Sequence, residues 1–197
     1  MTPNPANSNH QDSHRPAVFL DRDHTLIDDP GYINDPSQVI LLPGVGQAVA
    51  KLRAAGYLAV VVTNQSGLAR GRITESQLSA VHTRLMELLK AEGAVLDAIY
   101  HCPYLPGDEA VVEKFRRDSD LRKPRPGMLL AAASDWQIDL SRSWMIGDST
   151  RDIQAGRAAG CRTILIGKAD SQAHDADHLA ADLPSAVELL LSSSHRT

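Results

Sequence analysis

The sequence predicts an α/β fold, a parallel sheet covered by helices on both faces. Two observations predict it. Short apolar runs alternate with helix-period patterns about five times along the 197 residues, which is the pattern of parallel strands joined by crossover helices. Polar and charged residues also collect directly after several of these runs, where such folds bind ligands, beyond the carboxyl ends of the strands.

Taken in order, the first strand is the run Ala-Val-Phe-Leu at 17–20. Residues 44–55 read as a helix, with Val45, Ala48, Val49 and Leu52 on one face and Gly56 as its stop. The β-branched run at 58–62 reads as a buried strand. Thr74 caps a helix over 75–92, whose apolar stripe is Leu78, Val81, Leu85, Leu88 and Leu89. A short third strand falls at 98–100, and 107–125 is charged and irregular. Pro126 suits a first helical turn, and the helix continues over 127–136. A fourth strand at 144–146, a helix at 151–159, a fifth strand at 163–166 and a closing helix at 184–191 complete the pattern. Residues 1–16, polar and rich in Asn, Pro and His, read as a disordered leader. Residues 17–191 read as a single domain and 192–197 as a loose tail.

Composition narrows the function. With 43% hydrophobic and 22% charged residues, a chain of this length buries roughly 70% of its unfolded surface. The net charge is -4 and no basic block stands out, so nucleic acid is not expected as a partner. Two cysteines, Cys102 and Cys161, offer no disulfide framework and suit a reducing compartment. No apolar stretch approaches membrane-spanning length. The expectation is a cytoplasmic monomer with a small-molecule substrate and no membrane partner.

The chemistry starts at Asp21 and Asp23, just past the first apolar run. Residues i and i+2 of an extended chain point to the same side. Two carboxylates at 4 Å repel by ~4 kcal/mol at an effective dielectric near 20, so the pair implies a shared proton, a cation or a division of labour. Taken alone, it also reads as a solvated strand end. Asp148 follows the fourth strand, Thr63-Asn64-Gln65-Ser66 follows the second, and Arg122 and Lys123 precede the Pro126 helix. Three carboxylates, Asp21, Asp23 and Asp148, call for a hard cation such as Mg²⁺, which binds one or two carboxylates plus a phosphate. Thr63 offers a hydroxyl and Lys123 a point charge for phosphate. No Gly-x-x-x-x-Gly-Lys-Ser/Thr loop is present, which leaves an aspartate nucleophile as the route to phosphoryl transfer. Asp21 would attack, and Asp23 would move protons.

Asp21-Arg22-Asp23-x-Thr25, Thr63-Asn64-Gln65-Ser66-Gly67, Lys123-Pro124 and Gly147-Asp148-x-x-x-Asp152 together resemble the four motifs of the haloacid dehalogenase superfamily. Gly31-Tyr32, the run from Thr63 to Gly71, Arg122-Lys123-Pro124-x-Pro126-Gly127-Met128-Leu129 and Met145-Ile146-Gly147-Asp148 are similar to its heptose bisphosphate phosphatases. Histidinol-phosphate phosphatases have very similar motifs. The resemblance implies a Rossmann-like sheet without a large cap domain, with loops 28–39, 65–73 and 102–122 selecting the substrate. It implies that Asp21 is the nucleophile, Asp23 the acid/base, and that Thr63 and Lys123 hold the phosphoryl group. Mg²⁺ would bind Asp21, Asp148 and the Asp23 backbone carbonyl. Asp29, Gly31, Tyr32, Asn64, Gln65, Ser66 and Arg122 would contact substrate. Asp152, one helical turn past Asp148, would cap the helix or orient a metal-bound water. A role in activated-heptose synthesis for surface glycans follows from the same resemblance. A phospho-accepting regulatory domain is the reading from another class, and Asp23 argues against it because an acid/base shortens the life of an acyl phosphate.

The chain departs from the family pattern in two respects. His24 stands where Gly is usual, and His tolerates positive φ better than most residues. The zinc-binding pattern Cys-x-His followed by Cys-x-Cys is represented by Cys102 alone; Tyr104, Ser119 and Leu121 occupy the other positions. Zinc needs about four N or S ligands, so no structural zinc is predicted, and packing of Tyr104 and Phe115 is expected to order the loop instead.

Overall fold

A computed structural model describes residues 14–167 and 175–194. Six parallel strands form one sheet: β1 (Ala17–Leu20), β2 (Leu58–Asn64), β3 (Ala98–Cys102), β4 (Trp144–Gly147), β5 (Arg162–Ile166) and β6 (His178–Ala180). Among the described residues five α-helices cover it: α1 (Val45–Ala54), α2 (Glu75–Ala91), α3 (Gly127–Trp136), α4 (Thr150–Ala158) and α5 (Leu183–Ser194). The strand order is β3-β2-β1-β4-β5-β6. The chain therefore builds outward from β1 in one direction, then returns to β1's other side. That reversal opens a crevice at the carboxyl ends of β1 and β4.

Strand alternation explains the two-faced core. Val18 and Leu20 point to one face and join Val49 and Leu52 of α1, Leu85 and Leu89 of α2, and Val187 and Leu190 of α5. Ala17 and Phe19 point to the other and join Met128, Leu129 and Ala132 of α3 and Ala155 of α4. Phe19 is fully buried, and truncation to Ala would cost about 3–5 kcal/mol. In register, Leu20 sits opposite Val61 of β2 and Ile146 of β4. The residues that follow each strand thus emerge at one level.

The predicted boundaries shift in a few places. The third strand extends to Cys102, pairing Thr63 with His101 and Asn64 with Cys102. The three-residue β6 was not expected, and only Leu179 in it is a large apolar residue. The leader expected over 1–16 lies outside the described residues up to residue 13, but Pro16 already accepts a hydrogen bond from Leu58 N at 3.0 Å and Arg15 O one from Asp139 N at 3.0 Å. The tail expected to be loose from 192 is helical through Ser194, anchored by buried Leu183, Ala186, Val187 and Leu190; 195–197 lie outside the described residues. The loop after β3 is ordered by a small apolar cluster with Phe115, Leu105 and Ala110 against Leu68, Ile73 and Leu78. Tyr104 packs on Phe115 with ring centroids 6.2 Å apart, and the Arg117 guanidinium lies over the Tyr104 ring at 3.8 Å.

Candidate active site

At the carboxyl ends of β1, β2 and β4 lies a cavity of about 220 Å³. Asp21, Asp23, Asp29, Thr63, Asn64, Ser66, Arg122, Lys123 and Asp148 line it, as expected from sequence, together with His24, Ser149, Arg151 and Asp152. Gln65, Gly31 and Tyr32 do not line it.

Lys123 organises the floor. Its side chain is 2% exposed, and Nζ lies 2.8 Å from Asp21 Oδ1 and 2.6 Å from Asp152 Oδ1. Nζ also donates to Val62 O at 2.7 Å. Burial alone would lower the Lys123 pKa, but the charges of Asp21 and Asp152 outweigh it and leave the ammonium strengthened. The Lys123 backbone is clamped from β2: its N–H donates to Asn64 Oδ1 and its carbonyl accepts from Asn64 Nδ2, each at 3.0 Å. Asn64, expected to contact substrate, lines the cavity and also places Lys123. The Lys123–Pro124 peptide is cis.

The carboxylates that meet are Asp21, Asp148 and Asp152, with one oxygen of each within 4.8 Å of the others. The carboxylates expected to meet were Asp21, Asp23 and Asp148; Asp152 takes the third place among the side chains. The Asp23 carboxylate is drawn away, with Oδ1 receiving Arg22 Nε at 2.7 Å and Oδ2 receiving Gln65 Nε2 at 3.0 Å. Of the two roles weighed for Asp152, the helix cap is observed. It caps α4, Oδ2 accepting from Ser149 N at 3.1 Å, and it adds a third charge to the group. Its approach depends on Gly147, where a Cβ would lie 2.5 Å from the Asp152 carboxyl carbon.

The charge balance of this group fits a divalent cation. Burial and then the Asp21 charge raise the Asp152 pKa, with Lys123 opposing. The cavity walls and Asp21 likewise raise that of Asp148, with His24 and Lys123 opposing. Asp152 Oδ1 is buried and receives no well-angled hydrogen bond among the described residues, facing only the ammonium at short range. Three hard oxygen donors with surplus negative charge are the donor set Mg²⁺ takes.

Thr63 is buried on β2, and its Oγ1 accepts from Gln65 Nε2 at 2.9 Å. Gln65 Nε2 thus ties Asp23 to Thr63. Asp29 Oδ1 accepts from Gly31 N at 2.8 Å, stabilising the turn that leads to exposed Tyr32. Tyr32 packs over Gly67, where a Cβ would meet its ring at 2.9 Å. His24 has φ 55°, so the glycine-like position is real, and His24 N donates to Ile27 O at 2.8 Å. Arg122 and Arg151 sit at the rim. Burial lowers the Arg122 pKa, and the Arg151 and Arg70 charges add to this while Cys102 and Tyr32 oppose it.

Sequence reasoning passed over Arg22. Between two residues that face the cavity, position 22 must point inward, and a charged residue there needs a buried partner. Arg22 is 1% exposed.

Comparison with known proteins agrees with this geometry. Residues 120–189 match the family model described as HAD-hyrolase-like. The chain is 46% identical over 185 residues to a D-glycero-D-manno-heptose-1,7-bisphosphate 7-phosphatase of Thermosynechococcus vestitus, covering 88% of this chain and 94% of that one. It is 41% identical over 182 residues to the D-glycero-beta-D-manno-heptose-1,7-bisphosphate 7-phosphatase of Escherichia coli, covering 88% and 94%. The crystal structure of D,D-heptose 1,7-bisphosphate phosphatase from B. bronchiseptica, complexed with magnesium and phosphate, superimposes with a TM-score of 0.76 at 34% identity, covering 90% of this chain and 99% of that one. With its sheet, its site and its relatives in agreement, the chain belongs to the haloacid dehalogenase-like hydrolases and is a phosphatase of that family.

Proposed function

We propose that the chain removes the 7-phosphate of D-glycero-D-manno-heptose 1,7-bisphosphate, with Mg²⁺ and through a phosphoryl group carried on Asp21. The observation that carries this is Asp21 itself, held by Lys123 at 2.8 Å beside Asp148 and Asp152. The substrate is taken from the names of the relatives that cover nearly the whole chain.

In the first step an Asp21 oxygen attacks phosphorus and the bond from phosphorus to the sugar oxygen breaks. Asp23 gives its proton to that oxygen. Burial, the largest influence, raises the Asp23 pKa despite Arg22, which favours the protonated form that this step requires. In the second step Asp23 takes a proton from water, the water oxygen bonds phosphorus, and the bond to Asp21 breaks. Lys123 and Thr63 hold the phosphoryl oxygens in both steps. Asp21, Asp148, Asp152 and the Asp23 carbonyl would hold Mg²⁺, which supplies charge neutralisation at the phosphoryl group. Arg122 and Arg151 at the rim suit the second phosphate of a bisphosphate.

Phosphate release from heptose bisphosphate and from histidinol phosphate, measured on one preparation with and without Mg²⁺, tests the proposal. The expected outcome is Mg²⁺-dependent release that favours the heptose ester and disappears in Asp21→Asn. A preference for histidinol phosphate would replace the substrate, and full activity in Asp21→Asn would remove the mechanism.

A further inference from the structure

Behind the cavity wall, Arg22 connects the proposed acid/base to a second buried group. Arg22 Nε donates to Asp23 Oδ1 at 2.7 Å, and Arg22 Nη1 lies 3.2 Å from His82 Nε2 on α2. The two ends of this chain differ in exposure. The Arg22 side chain is 2% exposed, while that of Asp23 is 20% exposed and reaches the cavity. A guanidinium only donates, so His82 Nε2 must accept and the ring proton sits on Nδ1. Burial, then the charge of Arg22 and then His101, push the His82 pKa down to about 3, which keeps the ring in the neutral form that accepts. His101 of β3 packs edge-on to His82, with centroids 5.8 Å apart. The Arg22 carbonyl is held as well, accepting from Leu26 N at 2.9 Å and Ile27 N at 3.1 Å. Backbone and fork are therefore both fixed.

From this geometry we infer that Arg22, seated on His82, is a positioning residue for Asp23, fixing the direction from which Asp23 delivers its proton to the leaving oxygen. A planar fork anchored at both ends holds a carboxylate in one orientation, which a flexible lysine ammonium does not do. Gln65 holds the other Asp23 oxygen and joins it to Thr63. The acid/base and the phosphoryl-binding hydroxyl are thus aligned from the same buried side. A general acid contributes through placement as well as proton affinity. The inference rests on the phosphatase reading and on the role of Asp23 in it.

A leaving-group comparison tests it. An alkyl phosphate needs its departing oxygen protonated, whereas p-nitrophenyl phosphate releases a stable anion and needs little help. The readout is kcat/KM, which covers the first step only. His82→Leu is expected to lower kcat/KM about tenfold on the alkyl ester the parent hydrolyses, heptose bisphosphate or histidinol phosphate, and less than about twofold on p-nitrophenyl phosphate. His82→Gln, which retains an acceptor, is expected to restore the parent ratio of the two esters to within about twofold. Should His82→Leu fail to fold, Arg22→Lys keeps the charge, loses the fork and gives the same split. Equal losses on both esters, or no loss on either, would overturn the inference while leaving the phosphatase reading intact. A parent that hydrolyses neither alkyl ester would overturn both.

Discussion

The floor and the rim of the cavity are built on different principles. On the floor, Lys123 and Asp152 are 2% and 1% exposed at their side chains and hold each other at 2.6 Å. At the rim, Arg151 is exposed and Asp29 steadies a turn. Floor charges have no water to fall back on, so each is placed by a partner on another element: Lys123 by Asn64 of β2, Asp152 by Ser149 at the start of α4. Arg151 at the rim is solvated, while Arg122 beside it is half-buried and donates to Tyr104 O at 3.3 Å. Under the proposed function, bond-breaking falls to the floor and substrate choice to the rim loops.

Substitutions can break this division, and the largest effects are expected on the floor. Asp21→Asn removes the nucleophile and is expected to lower kcat by at least about 10⁴-fold, read as phosphate release. Lys123→Met is expected to lower kcat about 10²–10³-fold. It also leaves Asp21 and Asp152 without their buried counter-charge, so the urea midpoint falls by an amount corresponding to about 3–5 kcal/mol. Arg151→Ala, a rim change, is expected to raise KM for heptose bisphosphate about tenfold with kcat nearly unchanged and little effect on p-nitrophenyl phosphate. A large kcat effect from Arg151→Ala would erase the distinction between floor and rim.

The smallest expected effect is on stability and comes from His82. Its pKa is depressed from the ordinary 6.5 to about 3. Between those values the unfolded chain binds a proton there that the folded chain does not, so stability is intact above pH 6.5 and declines as pH falls toward 3. Urea midpoints at pH 7 and pH 5 should differ more for the parent than for His82→Gln. An identical pH dependence in the two would show that His82 is protonated in the fold.

The sequence made the floor legible where chemistry and strand ends coincide. Asp21 and Asp148 each follow an apolar run, and a carboxylate at that position is unusual enough to read directly. His24 was legible as a backbone problem, and its φ of 55° agrees. Residues that act through others were not legible. Asn64 and Gln65 look like substrate-facing amides in sequence, yet their partners are Lys123 and Asp23, dozens of residues away or across the β1 turn. Arg22 looks like a surface charge until the fold buries it against His82. Asp152 resembles a helix cap, which it is, and only the missing Cβ of Gly147 brings it to the carboxylate group. Strand β6 carries too little apolar alternation to be seen without its pairing to β5.

The account depends most on Asp21 carrying the phosphoryl group. Acid-quenched turnover of p-nitrophenyl phosphate by an Asp23→Asn variant tests this directly, because that variant keeps the nucleophile, needs no acid for this leaving group and lacks the base for the second step. The account predicts a burst of nitrophenol with a phosphoryl adduct on the peptide that contains Asp21. Nitrophenol released steadily with no adduct on that peptide would contradict it.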